Sequence, residues 1–113
     1  MDEAELTDDQ RAVIERYYSR AAEIVPEMTT GMSYGMHACL YRGKGVLSVI
    51  ATRAGFSMFP YSGSQIEELA PRLEGFSLSK GGIRFTADHL VPDDVFVDLL
   101  ALRMAEIDAT LAR

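Results

Sequence analysis

The strongest constraint on the fold of this chain is a series of three short apolar segments separated by glycine-bearing turns. The first segment, Met36–Tyr41, is followed by Arg42-Gly43-Lys44-Gly45 and then by a second segment at residues 46–52. Arg53-Ala54-Gly55 leads on to a third segment at residues 56–59. Segments rich in β-branched and aromatic residues, with glycine turns between them, are typical of antiparallel hairpins. The pattern therefore predicts three successive antiparallel strands.

A helix is predicted on the N-terminal side of these strands. Thr7 and Gln10 have the spacing of a capping box, in which each side chain bonds to the backbone amide of the other residue. Pro26 disfavours helical backbone at the preceding residue, so the helix is expected to end near Val25. Between these limits, apolar residues recur at helical spacing at Ile14, Tyr17, Ala21 and Ile24.

The C-terminal part of the chain predicts a short helix, a strand and a long helix. The short helix begins around Ser62-Gly63-Ser64-Gln65, where Ser64 and Glu67 have capping-box spacing. Gly81-Gly82 leads into a strand at residues 83–86. Val91-Pro92-Asp93-Asp94 is a typical helix start, and this last helix is expected to run to about residue 109.

This order of elements predicts the α+β class, with an antiparallel sheet and the N- and C-terminal helices packed on one of its faces. With 113 residues, the chain is expected to form a single domain over residues 7–113, preceded by a flexible tail at residues 1–6. Three methionines in the segment that enters the first strand are expected to pack in the core, namely Met28, Met32 and Met36.

The charge balance excludes some classes of partner. Seventeen acidic residues face eleven Lys and Arg, which gives a net charge of -6 and disfavours binding to nucleic acid or to an anionic membrane surface. Cys39 is the single cysteine, so an intramolecular disulfide cannot form. The N-terminus lacks an apolar run of signal-peptide type, and no stretch of about 18 apolar residues occurs. We therefore expect a cytoplasmic protein.

Several short motifs together resemble one known family. They are Pro26-Glu27, Ser33-Tyr34-Gly35-Met36, Phe59-Pro60, Ser79-Lys80-Gly81-Gly82-Ile83-Arg84-Phe85, and Val91-Pro92 at the start of a helix that contains Arg103. In this order and spacing, the set resembles the YdhG-like domain family of small bacterial proteins, long classed as a domain of unknown function, over about residues 10–110. His37 departs from the family pattern, which usually has proline after Tyr-Gly-Met.

The resemblance implies a frataxin-like fold and a non-catalytic protein. One member of the family is described as an intracellular iron chaperone, so iron is the implied cofactor or cargo. Iron-sulfur or haem assembly proteins are the implied partners. The alternative function is a small-ligand-binding or protein-interaction module that uses the exposed face of the sheet, as a monomer or a homodimer.

Acidic residues cluster in two zones that could hold iron through hard oxygen ligands. Asp94 and Asp98 in the second zone are four residues apart and share a helix face, where a cation would relieve their repulsion. The alternative is a solvated acidic surface, because acids at helix N-termini are stabilised by the helix dipole without a metal. The first zone contains Asp2, Glu3, Glu5, Asp8 and Asp9, and the second also contains Asp88, His89 and Asp93.

Ligand binding is predicted at Tyr34, His37 and Lys80. Lys80 lies in the loop Ser79-Lys80-Gly81-Gly82, where glycine amides could converge on an anion; the alternative is a simple turn.

The strand at residues 36–41 carries a second constellation. His37, Cys39 and Tyr41 share one strand face, which is predicted to line a pocket or a dimer interface, while Met36, Ala38 and Leu40 are predicted to face the core. His37 and Cys39 lie too far apart along a strand to act as nucleophile and base, which makes an enzyme the least favoured class.

Overall fold

The computed structural model describes residues 6–33 and 35–112. The predicted tail at residues 1–6 therefore lies almost wholly outside the described residues, as do Asp2, Glu3, Glu5 and Tyr34. The elements in chain order are α1 Asp8–Ile24, β1 Thr29–Ser33, β2 Met36–Tyr41, β3 Lys44–Thr52, β4 Gly55–Phe59, α2 Gly63–Leu69, a 3-10 turn Ala70–Arg72, β5 Ser77–Leu78, β6 Ile83–Phe85 and α3 Asp93–Leu111.

Helix α1 begins and ends where the sequence predicts. The Gln10 amide donates to the Thr7 hydroxyl at 3.1 Å, and the Thr7 amide donates to the Gln10 side chain at 2.9 Å. These reciprocal bonds satisfy amides that lack partners in the first turn of a helix. The buried face of the helix consists of Ile14, Tyr17 and Ala21.

The strands form one antiparallel sheet in the order β1-β2-β3-β4-β6-β5. The three predicted strands are confirmed as β2, β3 and β4. The turn between β2 and β3 consists of Arg42 and Gly43, whose φ angles of 53° and 81° are the left-handed pair that a two-residue hairpin turn favours. Strands β1 and β5 were not predicted from the sequence, because β1 is polar and contains Gly31, and β5 has two residues.

The terminal helices pack over one face of this sheet. Both α1 and α3 contact β3, and they contact each other. The side chains between the helices and the sheet form the core, which includes Phe96, Leu47, Met58, Ile83, Leu99 and Leu100. The α+β class is therefore confirmed, with a six-stranded sheet and N- and C-terminal helices.

Two local predictions are wrong. The N-cap of α2 is Ser62, whose hydroxyl accepts from the Gln65 amide, and not Ser64 paired with Glu67. Met32 was expected in the core, but its side chain is 70% exposed at the end of β1. It lies near the β1–β2 turn, where no helix covers the strand.

The face of β2 that packs against the helices was also predicted wrongly. His37, Cys39 and Tyr41 do share a face, but this is the face that the helices cover. Cys39 is fully buried in the core, and the Tyr41 hydroxyl donates to Asp108 of α3 at 2.9 Å. Alternation fixes which residues share a face, whereas their polarity did not reveal which face the helices would cover.

Candidate ligand-binding site

Strands β2 and β3 separate at the end that lies away from their turn. Their pairing reaches Cys39 opposite Leu47, and the same register continued would place His37 opposite Val49. Instead, the Tyr18 hydroxyl of α1 accepts from the Val49 amide at 3.0 Å and is 3.2 Å from the Val49 carbonyl. The Tyr18 hydroxyl thus bonds the backbone groups of Val49 that β2 would bond if the pairing continued. Buried backbone groups need such partners.

On the β2 side of this gap, the hydroxyls of Ser48 and Tyr61 provide the hydrogen bonds. Ser48 is fully buried, and its hydroxyl donates to the His37 carbonyl at 2.7 Å. Since a serine hydroxyl has one proton, the Tyr61 hydroxyl must donate to Ser48 across their 2.6 Å contact. Hydrogen bonds of these hydroxyls therefore span the gap between the strands. Among the described residues, every buried side-chain nitrogen or oxygen atom has a hydrogen-bond partner.

The separation opens a cleft of about 380 Å³ between α1 and the sheet, which we call the His37 cleft. Buried apolar side chains of Ile14, Val49 and Ala51 contribute to its lining. The remaining lining residues are Leu6, Arg11, Glu15, Tyr18, Met32, Gly35, Met36, His37 and Ile50. The cleft thus combines an apolar interior with a few polar side chains, which is the usual composition of a small-molecule site.

His37 and Met32 stand opposite each other at the end of β1 and β2. The His37 ring contacts the Tyr18 ring edge-on, with 5.4 Å between centroids. Within the described part of the chain, the imidazole nitrogens of His37 make no hydrogen bond. An exposed imidazole beside an exposed thioether gives the cleft one group that can donate or accept a hydrogen bond and one adaptable apolar contact.

The predicted ligand residues do not all meet in this cleft. His37 lines it, but Lys80 lies in the loop between β5 and β6 and does not line it. Tyr34 lies outside the described residues. Sequence reasoning missed Met32 and Tyr18. The aromatic spacing of α1 is a signal for burial, but it does not indicate that a tyrosine hydroxyl fills a gap between strands.

Cys39 does not contribute a nucleophile to this site. Its side chain is fully buried beneath the helices, and burial raises the pKa of the thiol to about 11. A thiol with that pKa is protonated at neutral pH, and the thiolate is the reactive form. Cys39 is therefore a structural residue of the core and not part of the cleft.

The second acidic zone is engaged by arginines from other elements. Arg72 donates to Asp98 at 2.5 Å and to Asp94 at 3.2 Å, so one guanidinium bridges the two carboxylates that were predicted to hold iron. Arg20 likewise donates to both carboxylate oxygens of Asp93, at 2.8 and 3.1 Å. Among residues 6–33 and 35–112, no group of three His, Cys, Asp or Glu side chains could together hold a metal ion. The iron site at Asp94 and Asp98 stays a prediction that requires Arg72 to move away.

In the described part of the chain, no helix combines the length and the apolar character needed to cross a membrane. No family model matches the chain, and no curated protein or solved structure matches it either.

Proposed function

We propose that this protein is a non-catalytic module that binds a small, mostly apolar molecule in the His37 cleft. The observation that carries the proposal is the separation of β2 and β3, which gives access to the apolar interior beside His37 and Met32. If β2 and β3 paired throughout, the apolar surface in the gap would be buried and the fold would be more stable. Stability alone therefore does not account for the gap.

The size and lining of the cleft support a ligand of one or two rings. Small-molecule sites commonly measure about 300–1,000 Å³ and are lined mainly by apolar side chains. Burial of apolar ligand surface against Ile14, Val49 and Ala51 supplies the affinity. The His37 imidazole supplies orientation, because it can pair with one polar group of the ligand at the mouth.

Indole is a suitable probe, since it combines an apolar ring system with a single N–H donor. Titration of the isotope-labelled protein with indole should shift the backbone amide resonances of residues around the His37 cleft, above all those of Met32, His37 and Val49. Shifts that saturate and stay confined to this region support the proposal. Absence of saturable shifts there, or shifts spread over the whole surface, would contradict it.

Two variants distinguish binding of indole in the cleft from binding to exposed apolar side chains elsewhere on the surface. Met32→Ala removes an apolar contact at the mouth, and Met32 is 70% exposed, so folding should be little affected. Leu111→Ala is the matched control, because Leu111 is 40% exposed at the end of α3 and does not line the cleft. Indole should bind Met32→Ala more weakly and Leu111→Ala as tightly as the original protein; equal affinities would argue against the cleft.

Iron binding, the frataxin-like fold and partners in iron-sulfur or haem assembly stay predictions from the YdhG-like resemblance. The two carboxylates that the iron prediction uses, those of Asp94 and Asp98, are paired with Arg72.

A further inference from the structure

A second cleft, of about 510 Å³, is formed by five segments that are far apart in the sequence. It is called here the Arg103 cleft. Its lining residues are Ser33, Gly43, Lys44, Gly45, Tyr61, Ser62, Gly63, Gly81 and Arg103. Four of these nine residues are glycines, so backbone rather than side chains forms much of the wall.

Arg103 is the main charged group of this cleft. Its side chain is 18% exposed, its Nε donates to the Gly45 carbonyl at 3.0 Å, and its Nη1 donates to Glu106 at 2.6 Å. These bonds fix the plane of the guanidinium. Its Nη2 makes no hydrogen bond with any described residue, so two N–H donors of a rigidly held guanidinium remain for a ligand.

One of the two lysines lines this cleft, and the other precedes a lining residue in the sequence. Lys44 lines it, and Lys80 belongs to the loop whose Gly81 lines it. Both lysines are exposed, and neither forms an ion pair with a described residue. Lys44 and Arg103 are the charged residues of the lining, and both are cationic in a chain with a net charge of -6. The Arg103 guanidinium is paired with the Glu106 carboxylate.

The segments that line the Arg103 cleft pack closely against one another at two glycines, Gly63 and Gly45. A Cβ atom at Gly63 would lie 2.7 Å from the Lys80 carbonyl oxygen, so glycine is required for the Lys80 loop to reach α2. Tyr61 adopts a left-handed φ of 62°, which is rare for tyrosine, and its ring covers Gly45. Strained backbone of this kind persists only where surrounding contacts impose it, and it is common at binding sites.

We propose that the Arg103 cleft binds the phosphoryl group of a small phosphate ester. The Nη2 donors of Arg103 suit paired phosphate oxygens, and Lys44 adds a second positive charge to the lining. The volume exceeds that of a bare ion and matches a small organic molecule, which favours an ester over inorganic phosphate. This proposal is independent of the function assigned to the His37 cleft.

The test uses ribose 5-phosphate and inorganic phosphate as separate titrants, at constant ionic strength, with backbone amide shifts as the readout. Ribose 5-phosphate should shift the amides of Gly45, Gly63 and Gly81 with saturation. Tighter binding of the ester than of inorganic phosphate assigns the site to an ester, and equal binding assigns it to the phosphoryl group alone. No saturable shift at these glycines with either titrant would overturn the proposal.

Charge variants make the test specific. Lys44→Gln combined with Lys80→Gln should weaken binding about tenfold, since it removes the Lys44 charge that lines the cleft and the Lys80 charge next to Gly81. Both lysines are exposed, so folding should be little affected. Arg53→Gln combined with Arg84→Gln is the matched control, because it also removes two positive charges, and both arginines are exposed and do not line the cleft. Equal loss of affinity in the arginine pair and in the lysine pair would refute a local site and indicate a general charge effect.

Discussion

The carboxylate of Glu106 links α3 to the start of α2, and its replacement by glutamine should destabilise the fold by a predictable amount. Glu106 accepts from Arg103 at 2.6 Å and from the Ser62 hydroxyl at 3.1 Å, with a longer contact of 3.5 Å to Gln65. Glutamine keeps one acceptor oxygen but places an NH₂ donor where the second oxygen was. Glu106→Gln therefore either sets a donor against Arg103 or, with the oxygen kept on Arg103, turns the NH₂ toward Ser62 and Gln65, where the carboxylate oxygen had accepted.

The magnitude follows from the exposure of the pair. A hydrogen bond to a charged group contributes about 1.5–3 kcal/mol when it is well buried. The side chains of Arg103 and Glu106 are 18% and 34% exposed, so solvent screening reduces this value. We expect a loss of about 1.5 kcal/mol in the free energy of unfolding at neutral pH, which is about a tenfold change in the folding equilibrium.

The loss should depend on pH with a defined sign. Burial would raise the pKa of Glu106, but hydrogen bonds from Arg103 and Ser62 outweigh it, and the net pKa lies below the ordinary value of 4.5. A carboxylate with a lowered pKa in the folded state stabilises the fold above its unfolded pKa, and this stabilisation is lost as pH falls through the folded pKa. The difference between Glu106→Gln and the original protein should therefore be full at neutral pH and shrink below pH 4.5.

Urea unfolding followed by circular dichroism at a series of pH values measures both effects. Glu68→Gln is the matched control, because Glu68 is exposed on α2 and should change stability by less than about 0.5 kcal/mol. The reasoning is refuted if Glu106→Gln costs no more than Glu68→Gln at neutral pH, or if its cost does not decrease in acid.

Three further outcomes test other parts of the structure. Tyr18→Phe leaves the Val49 backbone without its hydroxyl partner. It should lower the free energy of unfolding by about 1–3 kcal/mol and speed amide hydrogen exchange at Val49. Unchanged exchange would contradict the role of Tyr18 in the gap. Cys39 should resist alkylation by iodoacetamide at neutral pH in the folded protein and react after unfolding in guanidinium chloride; rapid labelling of the folded protein would show that the thiol is accessible. Arg72→Gln frees the two aspartates that Arg72 bridges, so it should raise the affinity for ferrous iron in anaerobic calorimetry; no binding by either protein would end the iron prediction.

The candidate site was only partly predictable from the sequence, because its shape depends on contacts between distant segments. His37 was singled out as a ligand residue, and it lines a cleft. The cleft exists, however, because β2 and β3 separate, and nothing in the alternation of either strand encodes where pairing stops. Asp94 and Asp98 were expected to repel each other, and Arg72, which lies 22 and 26 residues away along the chain, relieves that repulsion.

The sequence by itself determined the elements whose cause is local. The Thr7–Gln10 capping box and the Arg42-Gly43 turn act within a few residues, so they could be identified without knowledge of the fold. The tertiary structure decided which face of β2 is covered, how Tyr18 replaces a strand at Val49, and how the segments of the Arg103 cleft meet. These features depend on side chains from distant segments that satisfy buried backbone groups and charges, and such partners are brought together only by folding.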